Sequence, residues 1–343
     1  IVGVALQVSR VSLAELGRLL AEEAEGRAKH SIKRVWRFTS NDRVHVSDAM
    51  QGPLRWLLRG RSWRQTALLV AFDWTQIRHF HTLVAAAVIR GRSVPLLWAS
   101  YEEWKFHKSQ NNLEEGLLRL LKSLLPEGVQ VILLADRGFG RTELARTCLQ
   151  LGLHYVIRIK PDVYVQGAKY AGKLCDLKVK RGTRLLLRDV EFRKHNPVTQ
   201  HVAVCWPKGL PTDRDECWFL MTDLPYKVPK LTDLYGRRMT IEEFFRDQKN
   251  RRAGWALRHT QLTRPERLDR LLLILALAYW LLVGIGLLAL AQYPPTKWCS
   301  SNRREACSLF FIGCKVIRQL QLTAVQALTA LLAALKAEAT KWG

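Results

Sequence analysis

A chain of 343 residues can hold two or three domains, and its 48% hydrophobic content is enough for a core, which excludes a disordered protein. Fifty-four Lys and Arg against 30 Asp and Glu give a net charge of +24, which suits a polyanionic partner. This charge balance is compatible with three classes: ribosomal proteins, other nucleic-acid-binding proteins and membrane-surface proteins. The seven cysteines show no CxxC pair or other zinc spacing, and they indicate reduced thiols in a cytoplasmic protein.

The first 66 residues are predicted to be helical. The segment SLAELGRLLAEEAE is amphipathic, with Ser12 as its N-cap. The segment KHSIKRVWRF that follows is basic with interleaved aromatic residues, and its candidate phosphate contacts are Lys33, Arg34 and Arg37. A solvated helix face would explain the charges alone, whereas a phosphate-binding surface explains the charges and the aromatic residues together.

From about Thr66 the pattern predicts strands. Three apolar runs, ALLVAFDW, HTLVAAAVIR and SVPLLWASY, come first, and Gly91-Arg92 indicates a hairpin between the last two. A helix follows over NLEEGLLRLLKSLL, capped by Asn111 or Asn112 and ending before Pro126. The strand VQVILLA, a helix over 142–151 and the strand HYVIRIK complete the order β-β-β-α-β-α-β, which predicts an α/β fold.

Two aspartates stand at the ends of apolar runs of strand length: Asp73 in ALLVAFD and Asp136 in VILLAD. A lone carboxylate at the end of a buried strand is costly unless it is paired or bound to a metal, so each is a candidate ligand. The alternative is a structural role as a cap or turn former. Neighbouring strands would bring the two carboxylates together although they are 63 positions apart in sequence.

A second β-rich segment is predicted at residues 161–230. The 106 positions between Asp136 and Glu242 are too many for one connection in a compact fold. Within them DVYVQG, GTRLLLRDVEF, QHVAVCW and CWFLMTD read as short antiparallel strands separated by Gly and Pro. We therefore expect an inserted antiparallel β subdomain.

Residues 235–249 are predicted to form a helix with one polar face. Tyr235, Arg238, Glu242 and Lys249 project within an arc of about 60° at helical spacing. Arg246 falls on the same face, whereas Glu243 lies about 100° from Glu242 and is the less favoured ligand. A solvated helix with ion pairs is the alternative. Three carboxylates, two at strand ends and one on a later helix, suit a two-magnesium phosphodiester site.

The region after this helix is strongly apolar. Residues 271–292 carry no charge, so they could span a bilayer or form a helix buried in a large domain. A loop with a basic cluster follows at 293–305, and residues 309–339 are predicted to form one or two helices that serve as core, as a dimer contact, or as both.

The spacing Tyr235-x2-Arg238-x3-Glu242-x6-Lys249 resembles the Tyr-Arg-Glu-Lys signature of bacterial DDE-type insertion-sequence transposases. Asp73 and Asp136 occupy the places of the first and second aspartates of that group, and DRGF resembles the motif usual around the second. The resemblance runs from about His30 to about Ala291. It implies a ribonuclease-H-like catalytic core with an inserted antiparallel β subdomain, flanked by helical N- and C-terminal regions. The implied boundaries are 1–66, 67–160, 161–230, 231–292 and 293–343.

The resemblance also implies a site and a reaction. Asp73, Asp136 and Glu242 would be the catalytic residues and would hold two Mg²⁺ ions, for which Mn²⁺ substitutes. Cleavage at the transposon ends would pass through a DNA hairpin before strand transfer into target DNA. The implied DNA contacts are Tyr235, Arg238, Lys249, Arg246, Arg158 and Trp218, the last stacking a flipped base.

The implied partners are the terminal inverted repeats, gripped by the N-terminal helices, the target DNA and a second copy of the chain. The implied location is the nucleoid in a prokaryotic cytoplasm, without a membrane. Two alternatives stay open: a nuclease of the same fold that cuts without joining, and an element-derived DNA-binding protein whose site has decayed. A buried β-sheet tryptophan and a structural ion pair are the alternatives for Trp218 and Arg158.

Overall fold

A computed structural model describes residues 1–8, 10–59, 63, 66–193, 196–207, 216–251, 254–300, 307–317 and 323–342. The helices of the N-terminal region are α1 (Val2–Ala5), α2 (Leu13–Glu23), α3 (Ala28–Thr39) and α4 (Val46–Leu57). Ser12 caps α2 by accepting the N–H of Glu15 at 3.0 Å, which confirms the predicted cap. The N-terminal region is joined to the rest through Arg270, which donates to the carbonyl oxygens of Thr39 and Val44 at 3.1 Å each.

The predicted strands and helices of residues 67–160 are present. They are β1 (Ala67–Ile77), β2 (Phe80–Ile89), β3 (Arg92–Glu102), α5 (Glu103–Leu124), β4 (Gln130–Ala135), α6 (Thr142–Gln150) and β5 (His154–Arg158). In the sheet they are ordered β3-β2-β1-β4-β5, with β4 parallel to both β1 and β5. The fold is therefore a ribonuclease-H-like core, which confirms the predicted fold class.

Two bounds differ from the prediction. β1 continues four residues beyond Asp73, because its antiparallel pairing with β2 goes on to Ile77 after its pairing with β4 has ended. α5 begins at Glu103 and kinks at Ser109, so neither Asn111 nor Asn112 is its cap. Its first turns are held by contacts from another strand: His81 Nε2 lies 3.0 Å from Glu103 Oε2, and its ring stacks on Phe106 at 4.0 Å. A local sequence pattern does not reveal such contacts.

The second β-rich segment contains β6 (Tyr164–Gly167), β7 (Tyr170–Lys173), β8 (Arg184–Phe192), β9 (Val198–Cys205) and β10 (Trp218–Thr222). The four predicted strands are present, and β7 was missed because YAGK has little strand propensity. All five join the core sheet, whose order continues β5-β10-β9-β8-β6-β7. The last strand, β10, is the one that pairs with β5, so the sheet shows no break at residue 161. The division into five domains stays a prediction.

The remaining helices are α7 (Val228–Gly236), α8 (Thr240–Lys249), α9 (Pro265–Gln292), α10 (Leu309–Val316) and α11 (Ala324–Ala339). The residues predicted as one helix at 235–249 are therefore divided between α7 and α8, with a 3₁₀ turn at Arg237–Met239. The basic part of the predicted loop at 293–305 lies largely at residues 301–306, outside the described ranges.

The apolar segment forms the centre of the C-terminal half. By length and composition, α9 is the one helix in the described part of the chain that could cross a membrane, but 78% of its most apolar 18-residue stretch is buried inside the protein. It packs on β3 and against α10 and α11, and Trp280 donates to the carbonyl of Pro95 in the edge strand β3 at 2.8 Å. The structure thus favours the interpretation as a buried core helix.

Close packing around α9 depends on glycine. A Cβ atom at Gly284 would meet the backbone carbonyl of Ala327 in α11, and one at Gly286 would meet that of Leu309 in α10. No side chain can give way at these contacts, because backbone atoms lie on both sides. The helices can approach this closely only without a Cβ atom.

We predict that Gly284→Ala lowers the free energy of unfolding by about 1–3 kcal/mol, because overpacking forces the helices apart. Gly116→Ala in α5 is the matched control, since a Cβ there meets nothing within 4 Å. The free energy of unfolding of that control should rise by about 0.5–1 kcal/mol, because alanine favours a helix interior more than glycine does. Urea unfolding followed by circular dichroism measures both, and equal stability of the two variants would contradict the packing analysis.

Candidate active site

The two predicted aspartates lie at the same level of the sheet. The parallel pairing of β1 with β4 ends at the pair Phe72 and Ala135, one residue before Asp73 and Asp136. Beyond this pair β4 stops, and Asp136 caps a 3₁₀ turn by accepting the N–H of Gly138 at 2.8 Å. The end of this shared pairing therefore brings the two aspartates together. The sequence predicts that proximity, although it places Asp73 at a strand end and β1 continues to Ile77.

Arg238 joins the first aspartate to the predicted glutamate. Its Nη1 atom lies 3.0 Å from Asp73 Oδ2 and 3.4 Å from Glu242 Oε1. The 3₁₀ turn that contains Arg238 is wound more tightly than an α-helix, and α8 begins directly after it with Glu242 in its first turn. Arg238 is only 8% exposed, and its contact with Asp73 is shielded from bulk water, whereas the Glu242 side chain is 43% exposed.

Burial makes the charge at Asp73 unfavourable. It raises the pKa of Asp73 to about 7, and the negative charges of Asp136 and Glu242 add to this effect, while Arg238 and the N–H of Trp74 oppose it. Lys249 shows the opposite case: burial, with repulsion from Arg258, lowers its pKa to about 8, although Glu242 and Asp73 attract it. The site holds more negative charge than Arg238 balances.

Three further predicted residues form an aromatic and cationic wall beside the carboxylates. Tyr235 is 5% exposed, and burial raises its pKa. Trp218 meets its ring edge to face at 5.3 Å, and the guanidinium of Arg158 lies 5.9 Å from the Trp218 ring centre. Arg158 also bonds to Tyr235 and forms an ion pair with Glu216.

The other predicted contacts are not brought to the carboxylates. Arg246 pairs with Glu243 at 2.8 Å, and its side chain is 65% exposed. Lys33, Arg34 and Arg37 are exposed on α3, on the N-terminal helical region. The structure therefore separates a buried group around Arg238 from a set of exposed basic residues.

A groove opens beside Asp136. It has a volume of about 570 Å³, and basic side chains from the core and from the second β-rich segment line it, among them Arg137, Lys160 and Arg193. Glu143 and Asp162 are its acidic lining residues. The groove begins at the turn that Asp136 caps and extends to Tyr164 in β6.

The carboxylates suit a divalent cation by chemistry, although they do not form a ready-made cage. They offer hard oxygen donors, and the poorly balanced charge at Asp73 would be neutralised by a cation. Across the described ranges, however, no three His, Cys, Asp or Glu side chains lie together in an arrangement that could hold a metal ion. Arg238 occupies the position between Asp73 and Glu242. It contacts one oxygen of each of these carboxylates, Asp73 Oδ2 and Glu242 Oε1.

Sequence reasoning missed a buried carboxylate behind the site. Glu114 of α5 is fully buried and bonds to Trp74, which follows Asp73 directly, and to Arg141, five residues after Asp136. Its position was a usable signal, because Glu114 precedes Leu117, Leu118 and Leu121 by three, four and seven residues and so lies on the apolar face of the helix.

Residues 64–281 match a family model described as Transposase DDE domain. The chain belongs to this family. No curated protein matches the chain. Membership makes it an enzyme of the transposase and nuclease type that acts on nucleic acid, and the family is generally dependent on a divalent metal. The matched range contains Asp73, Asp136 and Glu242.

We predict that Asp73→Asn stabilises the metal-free protein above neutral pH. The raised pKa means that the folded state binds a proton at Asp73 more tightly than the unfolded chain, whose value is near 3.8. The wild type therefore loses stability as pH rises from 3.8 through about 7, and Asn avoids this loss. At about pH 8 the free energy of unfolding of Asp73→Asn should exceed that of the wild type by about 1–4 kcal/mol, since one pKa unit corresponds to about 1.4 kcal/mol.

Urea unfolding in the presence of a chelator at several pH values tests this prediction. The exposed Asp233→Asn is the control, and it should change stability by less than about 0.5 kcal/mol. A gain for Asp73→Asn that does not depend on pH, or a loss at high pH, would show that Asp73 is not held in an unfavourable ionised state.

Proposed function

We propose that this protein is a magnesium-dependent DNA transposase of the subgroup with the Tyr-Arg-Glu-Lys signature. It would cleave DNA at the ends of its own mobile element and join those ends to target DNA, through a hairpin on the element end. The observation that carries the proposal is the group formed by Asp73, Arg238 and Glu242, with Asp136 one residue beyond the last shared strand pair. In this group the arginine of the proposed signature bonds to two of the three proposed catalytic carboxylates, Asp73 and Glu242.

The proposed division of roles follows from the contacts. Asp73, Asp136 and Glu242 would hold two Mg²⁺ ions, which supply charge neutralisation and an activated oxygen nucleophile for in-line displacement at phosphorus. Arg238 would then exchange a carboxylate for a phosphate oxygen of the DNA. A guanidinium suits that exchange, because its planar donors bind carboxylate and phosphate equally well.

The neighbouring residues would hold the DNA backbone. Lys249 and Tyr235 lie in the same buried region, where a cation and a hydroxyl donor act strongly on a phosphate. The basic groove that begins at Arg137 offers a path for the strand beyond the cleaved bond. Arg246 stands at the exposed edge of α8, from which it would reach a phosphate after release from Glu243.

Trp218 is proposed to stack a base that leaves the helix when the hairpin forms. Its ring is partly exposed, and it contacts Tyr235 of the signature and Arg158, which support its placement beside the site. A flipped base needs such a platform, since it loses its stacking partners in the duplex.

The exposed residues Lys33, Arg34 and Arg37 are proposed to grip the terminal inverted repeat. They lie with the half-exposed ring of Trp36 on α3, as expected for a surface that binds phosphate groups. We further propose that two copies of the chain act together in the DNA complex, on the nucleoid of a prokaryotic cell.

We predict that alanine at Asp73, Asp136 or Glu242 abolishes cleavage of a labelled duplex carrying the inverted repeats of the encoding element. Each change removes oxygen donors for the metal but leaves the basic surfaces intact, so binding of the duplex should change little. Denaturing gels measure cleavage, and mobility shift measures binding.

Glu243→Ala is the matched control on the same helix. Glu243 pairs with Arg92 and Arg246 rather than with Arg238, so this variant should still cleave. Cleavage by Glu242→Ala would remove Glu242 from the site. If Glu243→Ala lost cleavage and Glu242→Ala kept it, Glu243 would be the third catalytic carboxylate in place of Glu242.

We predict that Trp218→Ala still nicks the first strand but forms about tenfold less hairpin, because base stacking on an aromatic ring is worth about 1–3 kcal/mol. Trp218→Phe should restore most of the hairpin, since it keeps an aromatic face. Gels that resolve the nicked and hairpin products measure both steps. A normal hairpin yield from Trp218→Ala would leave Trp218 a structural residue of β10.

A further inference from the structure

A buried carboxylate connects the two segments that carry the aspartates. Glu114 Oε1 accepts from Trp74 Nε1 at 2.7 Å and from Gln110 Nε2 at 3.0 Å, and Oε2 accepts from Arg141. Trp74 follows Asp73 directly, and its N–H donates to Asp73 Oδ1 at 2.8 Å. Glu114 is therefore linked to Asp73 by hydrogen bonds through a single intervening residue, Trp74.

The other end of this connection reaches the second aspartate. Arg141 closes the turn that Asp136 opens: its N–H donates to the carbonyl of Phe139 at 2.8 Å, and α6 begins at the next residue. Its guanidinium also donates to the carbonyl of Asn111 at 3.2 Å and is 9% exposed. The loop after Asp136 is thus bound to the helix that carries Glu114.

Backbone pairing alone does not fix the distance between Asp73 and Asp136. Pairing between β1 and β4 ends at Phe72 and Ala135, after which β1 follows β2 and β4 turns away. Beyond that point the two aspartate-bearing segments share no backbone hydrogen bonds among the contacts described. Glu114 lies between them and bonds to both sides.

We propose that Glu114 is a positioning residue that sets the placement of Asp73 relative to Asp136 before a divalent metal binds. The inference rests on the proposed function, since it takes those aspartates as the metal ligands. A carboxylate is the group that can do this, because its two oxygens accept from an indole N–H and a guanidinium at once. Glutamine offers a single acceptor oxygen and would turn N–H donors towards Arg141.

Binding of Mn²⁺ alone tests the proposal without any catalytic step. The electron paramagnetic resonance signal of free Mn²⁺ is followed as the full-length protein is titrated to millimolar metal. We expect Glu114→Gln to weaken Mn²⁺ binding by about tenfold or more, as supporting residues behind metal ligands typically do. Trp74→Phe, which removes one donor and keeps an aromatic ring, should weaken it in the same direction and serves if Glu114→Gln fails to fold.

Glu115→Gln is the matched control on the same helix. Glu115 lies 3.7 Å from Arg141 and accepts from Thr147, but the chain from Trp74 through Glu114 to Arg141 does not pass through it. Its Mn²⁺ affinity should stay within about twofold of that of the wild type. Thermal melts of every variant report stability separately.

The possible results distinguish a failure of the proposed role of Glu114 from a failure of the proposed metal site. Unchanged Mn²⁺ affinity in folded Glu114→Gln, even with a lower melting temperature, makes Glu114 purely structural and overturns the inference alone. An equal loss in Glu115→Gln also overturns it, because the effect would then belong to the helix and not to Glu114. Wild-type protein that binds no Mn²⁺ contradicts the metal site itself, and with it the proposed function.

Discussion

The site depends on where the parallel pairing of β1 with β4 ends. The last pair is Phe72 and Ala135, an aspartate follows each of them in sequence, and the two carboxylates meet where these two interior strands separate. That placement costs free energy, as the raised pKa of Asp73 shows, and Arg238 offsets part of the cost. The charge of Asp73 is thus only partly balanced within the protein, and the proposed metal ions would complete that balance.

The rest of the fold holds the third carboxylate near the two aspartates. Asp247, one turn after Glu243 on α8, accepts from Tyr279 of α9 at 2.9 Å, from Ser308 at 3.0 Å and from Arg92 of β3 at 3.2 Å. These bonds fix α8, and therefore Glu242, to the edge of the sheet and to the apolar helix α9. Ser308 lies beyond residue 281, where the family match ends, so the C-terminal helices also contribute to the geometry of the site.

The sequence predicted the elements that depend on local pattern. Apolar runs predicted β1 to β5, and spacing placed Arg238 and Glu242 on one face, which their shared contact confirms. Features that depend on distant contacts were missed: α5 begins early because of His81, and the helix at 235–249 is interrupted by a 3₁₀ turn that brings Arg238 to Asp73. Glu114 was missed although its spacing from the buried leucines places it on the apolar face of α5, because its partners Trp74 and Arg141 are distant in sequence.

The most direct test of the account is the reaction of the wild-type protein with a labelled duplex that carries the ends of its own element, with and without Mg²⁺, resolved on a denaturing gel. The account predicts nicking at the element boundary that requires Mg²⁺, followed by a product of hairpin length. Binding without cleavage would contradict an active site at Asp73, Asp136 and Glu242, and cutting that ignores the ends would identify a nuclease instead of a transposase.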